Sequence, residues 1–161
     1  MTAVATIRLR IGTAIDLPAI NTIIDAAVME WALPERVKRL ALPSYHYHTH
    51  DLDFLELIVA IDNDDRIVGV AGYESTDPAD TLSGRHSLLL HGIYVSPAEQ
   101  RHGIGRQLLR AVEDAGRQRG FDSLLVKAQT DARAFFIVQG LEKLTIQDSR
   151  RDYANRYWKM L

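Results

Sequence analysis

The sequence predicts one α/β domain whose front half is mostly antiparallel sheet. Three observations predict it. The chain has 161 residues, 47% hydrophobic and 25% charged, the composition of an ordinary globular protein forming a single domain over residues 1–161. Its first half holds a period-two run at Ile7, Leu9 and Ile11 and later β-rich runs separated by turn residues. Past Ser96 and Pro97 the period lengthens to that of an amphipathic helix.

Nineteen Lys and Arg against 21 Asp and Glu give a formal net charge of -2. No surplus of cations exists to neutralise many phosphates at once, which argues against bulk nucleic-acid binding. The absence of Cys excludes disulfides, thiolate metal ligands and a covalent cysteine intermediate. The N-terminus never makes the apolar block of a signal peptide, and the longest aliphatic stretch, residues 57–61, falls far short of the ~20 residues that span a bilayer. A cytoplasmic protein without a membrane partner is expected.

Ile7, Leu9 and Ile11 alternate with Arg8 and Arg10, which predicts a first strand with one dry face. Asp16 followed by Leu17, Pro18, Ile20, Ile23, Ile24, Ala27, Val28 and Trp31 predicts an amphipathic helix capped by Asp16. Pro34 and Pro43 bracket a short basic helical piece. Residues 57–62 and 66–74 are β-rich runs joined by Asn63, Asp64 and Asp65, hence a hairpin. A loop with Asp77, Pro78, Asp80, Ser83 and Gly84 leads to a strand over residues 87–95. Ile104, Leu108, Val112 and Ala115 then recur at helical spacing until Gly120. Residues 124–128 read as a strand, 131–139 as a helix stopped by Gly140, and 141–147 and 156–161 as final strands. The expected order is βα(α)ββββαβαββ, less one or two elements.

The informative stretch runs from Gly92 to Leu109. A strand enters a turn containing Gly103 and Gly105, which opens directly into a helix. Such a junction gathers unpaired amides and the positive end of a helix dipole, the chemistry of a diphosphate cradle. A P-loop would need Lys and then Ser or Thr after the second glycine, where Arg106 and Gln107 stand. The dinucleotide fingerprint would need a third small residue where Leu108 sits. A plain helix start with two turn glycines is the remaining alternative.

Here the sequence resembles the GNAT superfamily of acetyl-CoA-dependent N-acyltransferases. That family's pyrophosphate loop, Q/R-x-x-G-x-G/A, is matched by Gln100, Gly103 and Gly105, between a fitting strand end at Tyr94 to Pro97 and the helical Leu108 and Leu109. A second motif, N-x-x-A-x-x-F-Y-x-x-x-G-F, is matched by Gln129, Ala132, Phe135, Phe136, Gly140 and Leu141. The opening residues 7–20 resemble the family's first strand and helix. The resemblance implies the GNAT fold, a mixed, mostly antiparallel central sheet with helices on both faces.

It also implies acetyl-CoA as co-substrate. The strands before the loop and after its helix would part, with the pantetheine arm between them. Amides of Ile93 and Val95 would pair with that arm, and amides from Arg101 to Arg106, including His102, Gly103, Ile104 and Gly105, would hold the pyrophosphate. Gln100 belongs to the same loop, and Arg101, His102 and Arg106 would add charge or simply be solvated. Gln129 stands where an Asn often orients the cofactor, one methylene longer. Phe136, counted with the cofactor residues, stands where the family's acid is Tyr.

Attack of an amine on a thioester wants a base. Many family members carry a carboxylate on the strand before the loop, and Leu89 occupies that place. Two positions on, His91 shares its face, and an imidazole is a side chain suited to accept a proton at neutral pH. His91 is the first candidate base and Glu74 the second; a hydrogen-bonded cleft histidine is the competing role. With Phe136 unable to donate, the thiolate's proton would come from water, Tyr153 or Tyr157.

His46, His48 and His50 would share one face of a strand and could meet zinc, but on a helix they would diverge. No metal site is assigned, and the resemblance makes Tyr45, Tyr47 and these histidines acceptor-recognition residues. The expected function is N-acetylation of a primary amine on a small molecule or peptide, and a homodimer is compatible with it. The competing classes are a catalytically silent acyl-CoA sensor and a metal-dependent protein built on the histidines.

Overall fold

One short strand precedes an aliphatic helix because Arg8 to Ile11 alternates and residues 17–29 carry a continuous apolar stripe. The computed structural model describes residues 6–75, 84–145 and 155–161. Asp77, Pro78, Asp80, Ser83, Tyr153 and the end of the expected strand over 141–147 lie outside the described residues. Strands β1 (Arg8–Ile11), β2 (Glu56–Ile61), β3 (Ile67–Ser75), β4 (Ser87–Val95), β5 (Ser123–Lys127), β6 (Glu142–Lys143) and β7 (Arg156–Met160) form a mixed, mostly antiparallel open sheet ordered β1-β2-β3-β4-β5-β7-β6. The helices are α1 (Leu17–Met29), α2 (Glu35–Tyr45), α3 (Ile104–Gln118) and α4 (Arg133–Val138). Three described strands separate α2 from α3, one fewer than the fullest expected order. No helix among the described residues is long and apolar enough to cross a membrane.

The chain divides into two compact units by its packing. The first comprises Met1–Gly72 and Ile93–Leu109. In it β1 pairs antiparallel with β2, from Arg8↔Ile61 to Ile11↔Ile58. Leu57, Val59, Ile61 and Val70 bury one face against Leu17, Ile20, Ile23, Ile24, Ala27 and Val28 of α1, the stripe expected from its spacing. The other face meets α3. Gly69, next to Val70 and therefore opposite in direction, would carry a Cβ 3.1 Å from both Ile104 and Leu108. Glycine there lets the first turns of α3 lie directly on β3, with helices on both faces of that strand.

The hairpin turn forms as expected, because the Asp62 carboxylate accepts from the Asp64 and Arg66 amides at 2.9 and 3.0 Å and Asp65 takes a φ of +59°. Three local expectations are corrected. Ile11 is 55% exposed, so the dry face of β1 does not reach it: β1 is an outermost strand at its last residue. Asp16 caps no amide of α1; its carboxylate accepts from the Thr13 amide at 2.8 Å and from Arg10. Pro43 does not end the basic helix but lies inside α2, where Ser44 Oγ donates to the Ala41 carbonyl at 2.6 Å and Tyr45 packs edge-on to Trp31. Lys38 of α2 is buried with its ammonium donating to the Met29 and Trp31 carbonyls, at 2.6 and 3.2 Å, at the end of α1.

The second unit comprises Tyr73–Gly92 and Arg110–Leu161. β5 pairs antiparallel with β7 from Ser123↔Met160 to Lys127↔Arg156, and β6 adds Glu142↔Trp158 on the far side of β7. Leu88, Leu90, Val112, Leu124, Leu125 and Val126 are buried here. Buried Glu113 of α3 receives the Lys159 ammonium of β7 at 2.9 Å, so the carboxylate that leaves water has a partner. Gly120 and Gly140, at φ of +82° and +91°, follow α3 and α4 as expected stops.

Candidate active site

The loop between β4 and α3 is anchored at both ends. The Ser96 amide donates to the Val68 carbonyl at 2.8 Å, and Gln100 Nε2 reaches back to the Val95 carbonyl at 3.3 Å. Buried Ile104 and Leu108 fix the helix that follows. Between these anchors the backbone turns through the left-handed region twice, at Arg101 with φ +68° and at Gly103 with φ +78°. Glycine adopts that conformation freely, whereas a side chain such as that of Arg101 costs energy there.

The first backbone bond of α3 runs from the Gln107 amide to the Gly103 carbonyl at 3.1 Å. The amides of Ile104, Gly105 and Arg106 therefore precede any helical acceptor and lie at the positive end of the helix dipole. Arg101, His102 and Arg106 are exposed around them. His102 Nδ1 lies 3.7 Å from Glu99, while among the described residues no carboxylate pairs with Arg101 or Arg106. Free amides, a helix terminus and two unpaired guanidinium groups suit a diphosphate.

In the second unit β4 pairs parallel with β5 from Ser87↔Ser123 to Leu90↔Val126. That register stops there, although β4 continues to Val95. Its closed end is fastened by polar groups: the Ser87 and Ser123 hydroxyls lie 2.7 Å apart, and Asp122 accepts from Ser123 Oγ at 2.9 Å and the His86 amide at 3.0 Å. These donors hold the Asp122 carboxyl below the usual carboxylate range. Along β4, Leu88 and Leu90 are buried while Leu89 and His91 alternate with them on the other face. His91 Nε2 stands 2.7 Å from Glu74 Oε1 of β3, with the two side chains 33% and 22% exposed.

The sequence model of the acetyltransferase (GNAT) family matches residues 25–140. The chain belongs to the GNAT family. No curated protein matches it in sequence. Solved structures similar to this GNAT chain include the PaiA N-acetyltransferase of Thermoplasma acidophilum in complex with coenzyme A, at 13% identity and a TM-score of 0.77, covering 97% of this chain and 99% of that one. A GNAT acetyltransferase of Brucella melitensis in complex with acetyl-CoA is similar at 17% identity and a TM-score of 0.65, covering 96% and 88%. The ribosomal-protein-alanine N-acetyltransferase of the same organism is similar at 24% identity and a TM-score of 0.62, covering 96% and 99%. At these identities the likeness is one of fold.

The remaining GNAT motif residues fall at the end of β5 and on α4. Gln129 is exposed just past β5, while Phe136 is 3% exposed and packs edge-on against Phe135, ring centroids 5.2 Å apart. Tyr157, considered as a proton source, is 1% exposed and its hydroxyl accepts from Arg133 Nε at 3.0 Å. The strand that would align His46, His48 and His50 is absent. His46 ends α2 and pairs with Asp25, and His48 precedes a 3-10 turn, Thr49–Asp53, that contains His50. The His48 and His50 rings stack at 5.7 Å. Tyr45 is half-buried, and Tyr47 is buried with its hydroxyl filling the space a side chain at Gly72 would need.

Sequence reasoning missed two features of the candidate site. An arginine carries no signal for positive φ, so the turn at Arg101 was legible only through its glycine neighbours. The contact of His91 with Glu74, two residues treated as rivals, needs a strand register that the sequence does not state.

Proposed function

We propose that this chain moves the acetyl group of acetyl-CoA to a primary amine of a small molecule or peptide by direct attack. The observation that carries the reading is the β4–α3 loop, whose amides at Ile104, Gly105 and Arg106, without a backbone acceptor among the described residues, and exposed Arg101 and Arg106 fit the diphosphate of coenzyme A. When bound, acetyl-CoA supplies the thioester. Ile93 and Val95 offer strand amides to the pantetheine arm, and Gln100, His102 and Gly103 shape the loop. Gln129 and Phe136 are assigned to the cofactor on their motif positions alone.

His91 follows on the same strand, two residues before Ile93. It accepts the amine proton as the nitrogen bonds to the carbonyl carbon and the carbon–sulfur bond breaks, the thiolate leaving with the electron pair. The thiolate is protonated from water, since Phe136 has no proton to give.

The test is a panel of amines assayed for acetyl-CoA-dependent thiol release. Repeated turnover on at least one amine is expected. Leu89 and Phe136, standing where family members carry a base and an acid, favour a second reading as an acyl-CoA sensor. Saturable acetyl-CoA binding with no turnover on any amine would establish that reading instead.

A further inference from the structure

His91 and Glu74 are joined in the structure, and the bond constrains the chemistry of both. A carboxylate at neutral pH has no hydrogen to donate, so the 2.7 Å contact between His91 Nε2 and Glu74 Oε1 requires the hydrogen to sit on Nε2. In a neutral imidazole the other nitrogen then carries the lone pair. Among the described residues Nδ1 of His91 has no hydrogen-bond partner, and Glu74 is the ionisable group bonded to the ring. At 33% exposure the side chain is partly open to solvent.

We infer that His91 and Glu74 act as one unit, in which the Glu74 carboxylate holds Nε2–H of a neutral imidazole and leaves Nδ1 as the atom that accepts the amine proton. The inference rests on the proposed acetyl transfer for its chemistry, though the tautomer does not. The proton lost by the attacking nitrogen moves to Nδ1, and the imidazolium so formed keeps its Nε2–H on Glu74, which lies against the new charge. It returns to the resting state by releasing the Nδ1 proton to water. Glu74 is thus a positioning residue, and His91 alone meets the amine.

The test combines one spectroscopic and one kinetic measurement on the full chain. With histidine labelled with nitrogen-15 and the His91 signals assigned through His91→Gln, the expected spectrum at neutral pH shows a protonated Nε2, an unprotonated Nδ1 and a hydrogen-bonded Nε2–H slow enough to observe. Glu74→Ala should lose that slow proton. On an amine that turns over, Glu74→Ala should lower kcat roughly 10–100-fold, the scale found when the carboxylate behind a metal-bound imidazole is removed, with KM for acetyl-CoA unchanged. Glu74→Gln, whose amide oxygen still accepts from Nε2–H, should recover most of that loss. A proton on Nδ1 in the unmodified chain would overturn the inference, as would Glu74→Gln being as impaired as Glu74→Ala, since the carboxylate would then itself be the proton acceptor. The spectrum needs no amine substrate, so the expected tautomer together with no turnover on any amine would refute acetyl transfer while the pairing stood.

Discussion

Arg10 grips both oxygens of Asp16, with Nη1 to Oδ2 at 2.8 Å and Nη2 to Oδ1 at 2.9 Å. This fork, with the Thr13 amide and outweighing the opposing effect of burial, lowers the Asp16 pKa to about 2. A carboxyl depressed on folding contributes stability above its unfolded value, roughly pH 4, and loses it as pH falls through the folded value. The melting temperature of the unmodified chain should therefore exceed that of Asp16→Asn by a constant margin above about pH 5, and the margin should shrink between pH 4 and 2. A margin indifferent to pH would show that the ion pair is not its source.

Lys38→Met tests a second polar clamp of the first unit. Methionine keeps the stem but leaves the Met29 and Trp31 carbonyls without their ammonium donor. Loss of such charged hydrogen bonds at a helix end costs about 1–3 kcal/mol. A urea denaturation midpoint unchanged from the unmodified chain would contradict this.

Gly105→Glu tests the loop. Acetyl-CoA at 100 times its dissociation constant stabilises the folded chain by about 2.7 kcal/mol, read as a rise in melting temperature. A carboxylate beside the free amides of Ile104 and Arg106 should repel the diphosphate and abolish the rise. An equal rise in the variant would remove the loop from the cofactor site.

His91→Ala should lower kcat/KM by a factor on the order of 10²–10⁴ and remove the acidic limb of the pH–rate profile, while the melting shift with acetyl-CoA persists. A loss confined to KM with the limb intact would make His91 a pocket residue. Full activity would end its candidacy.

The sequence carried the elements best where local chemistry decides. The apolar spacing of α1, the stop of β4 before Ser96 and Pro97, and the glycines after α3 and α4 all stand as read. It misled where tertiary contacts overrule a local signal. Pro43 reads as a stop, yet the packing of Tyr45 on Trp31 carries α2 past it, and that extension turns His46 into a helix terminus and removes the strand the histidines would need. Asp16 reads as a cap because nothing local announces that Arg10, six residues earlier, will claim its oxygens. In the candidate site, the turn into α3 was legible at Gly103 and Gly105 because a loop that bares amides needs a recognisable backbone. The His91–Glu74 bond was not, because pairing across β3 and β4 depends on a connection whose length fixes no register.

An open sheet has two outer strands whose unsatisfied backbone groups can template pairing with another chain. Here they are β1 and β6, four and two residues long, the shortest in the sheet. Arg8 and Arg10 stand exposed along β1, and each is paired with an aspartate, Asp65 and Asp16. A second copy adding edge to edge at β1 would have to strip water from those charges or break their pairs to gain a few backbone bonds. The same residues that make β1 a poor strand by hydrophobicity thus guard the chain against aggregation through its sheet.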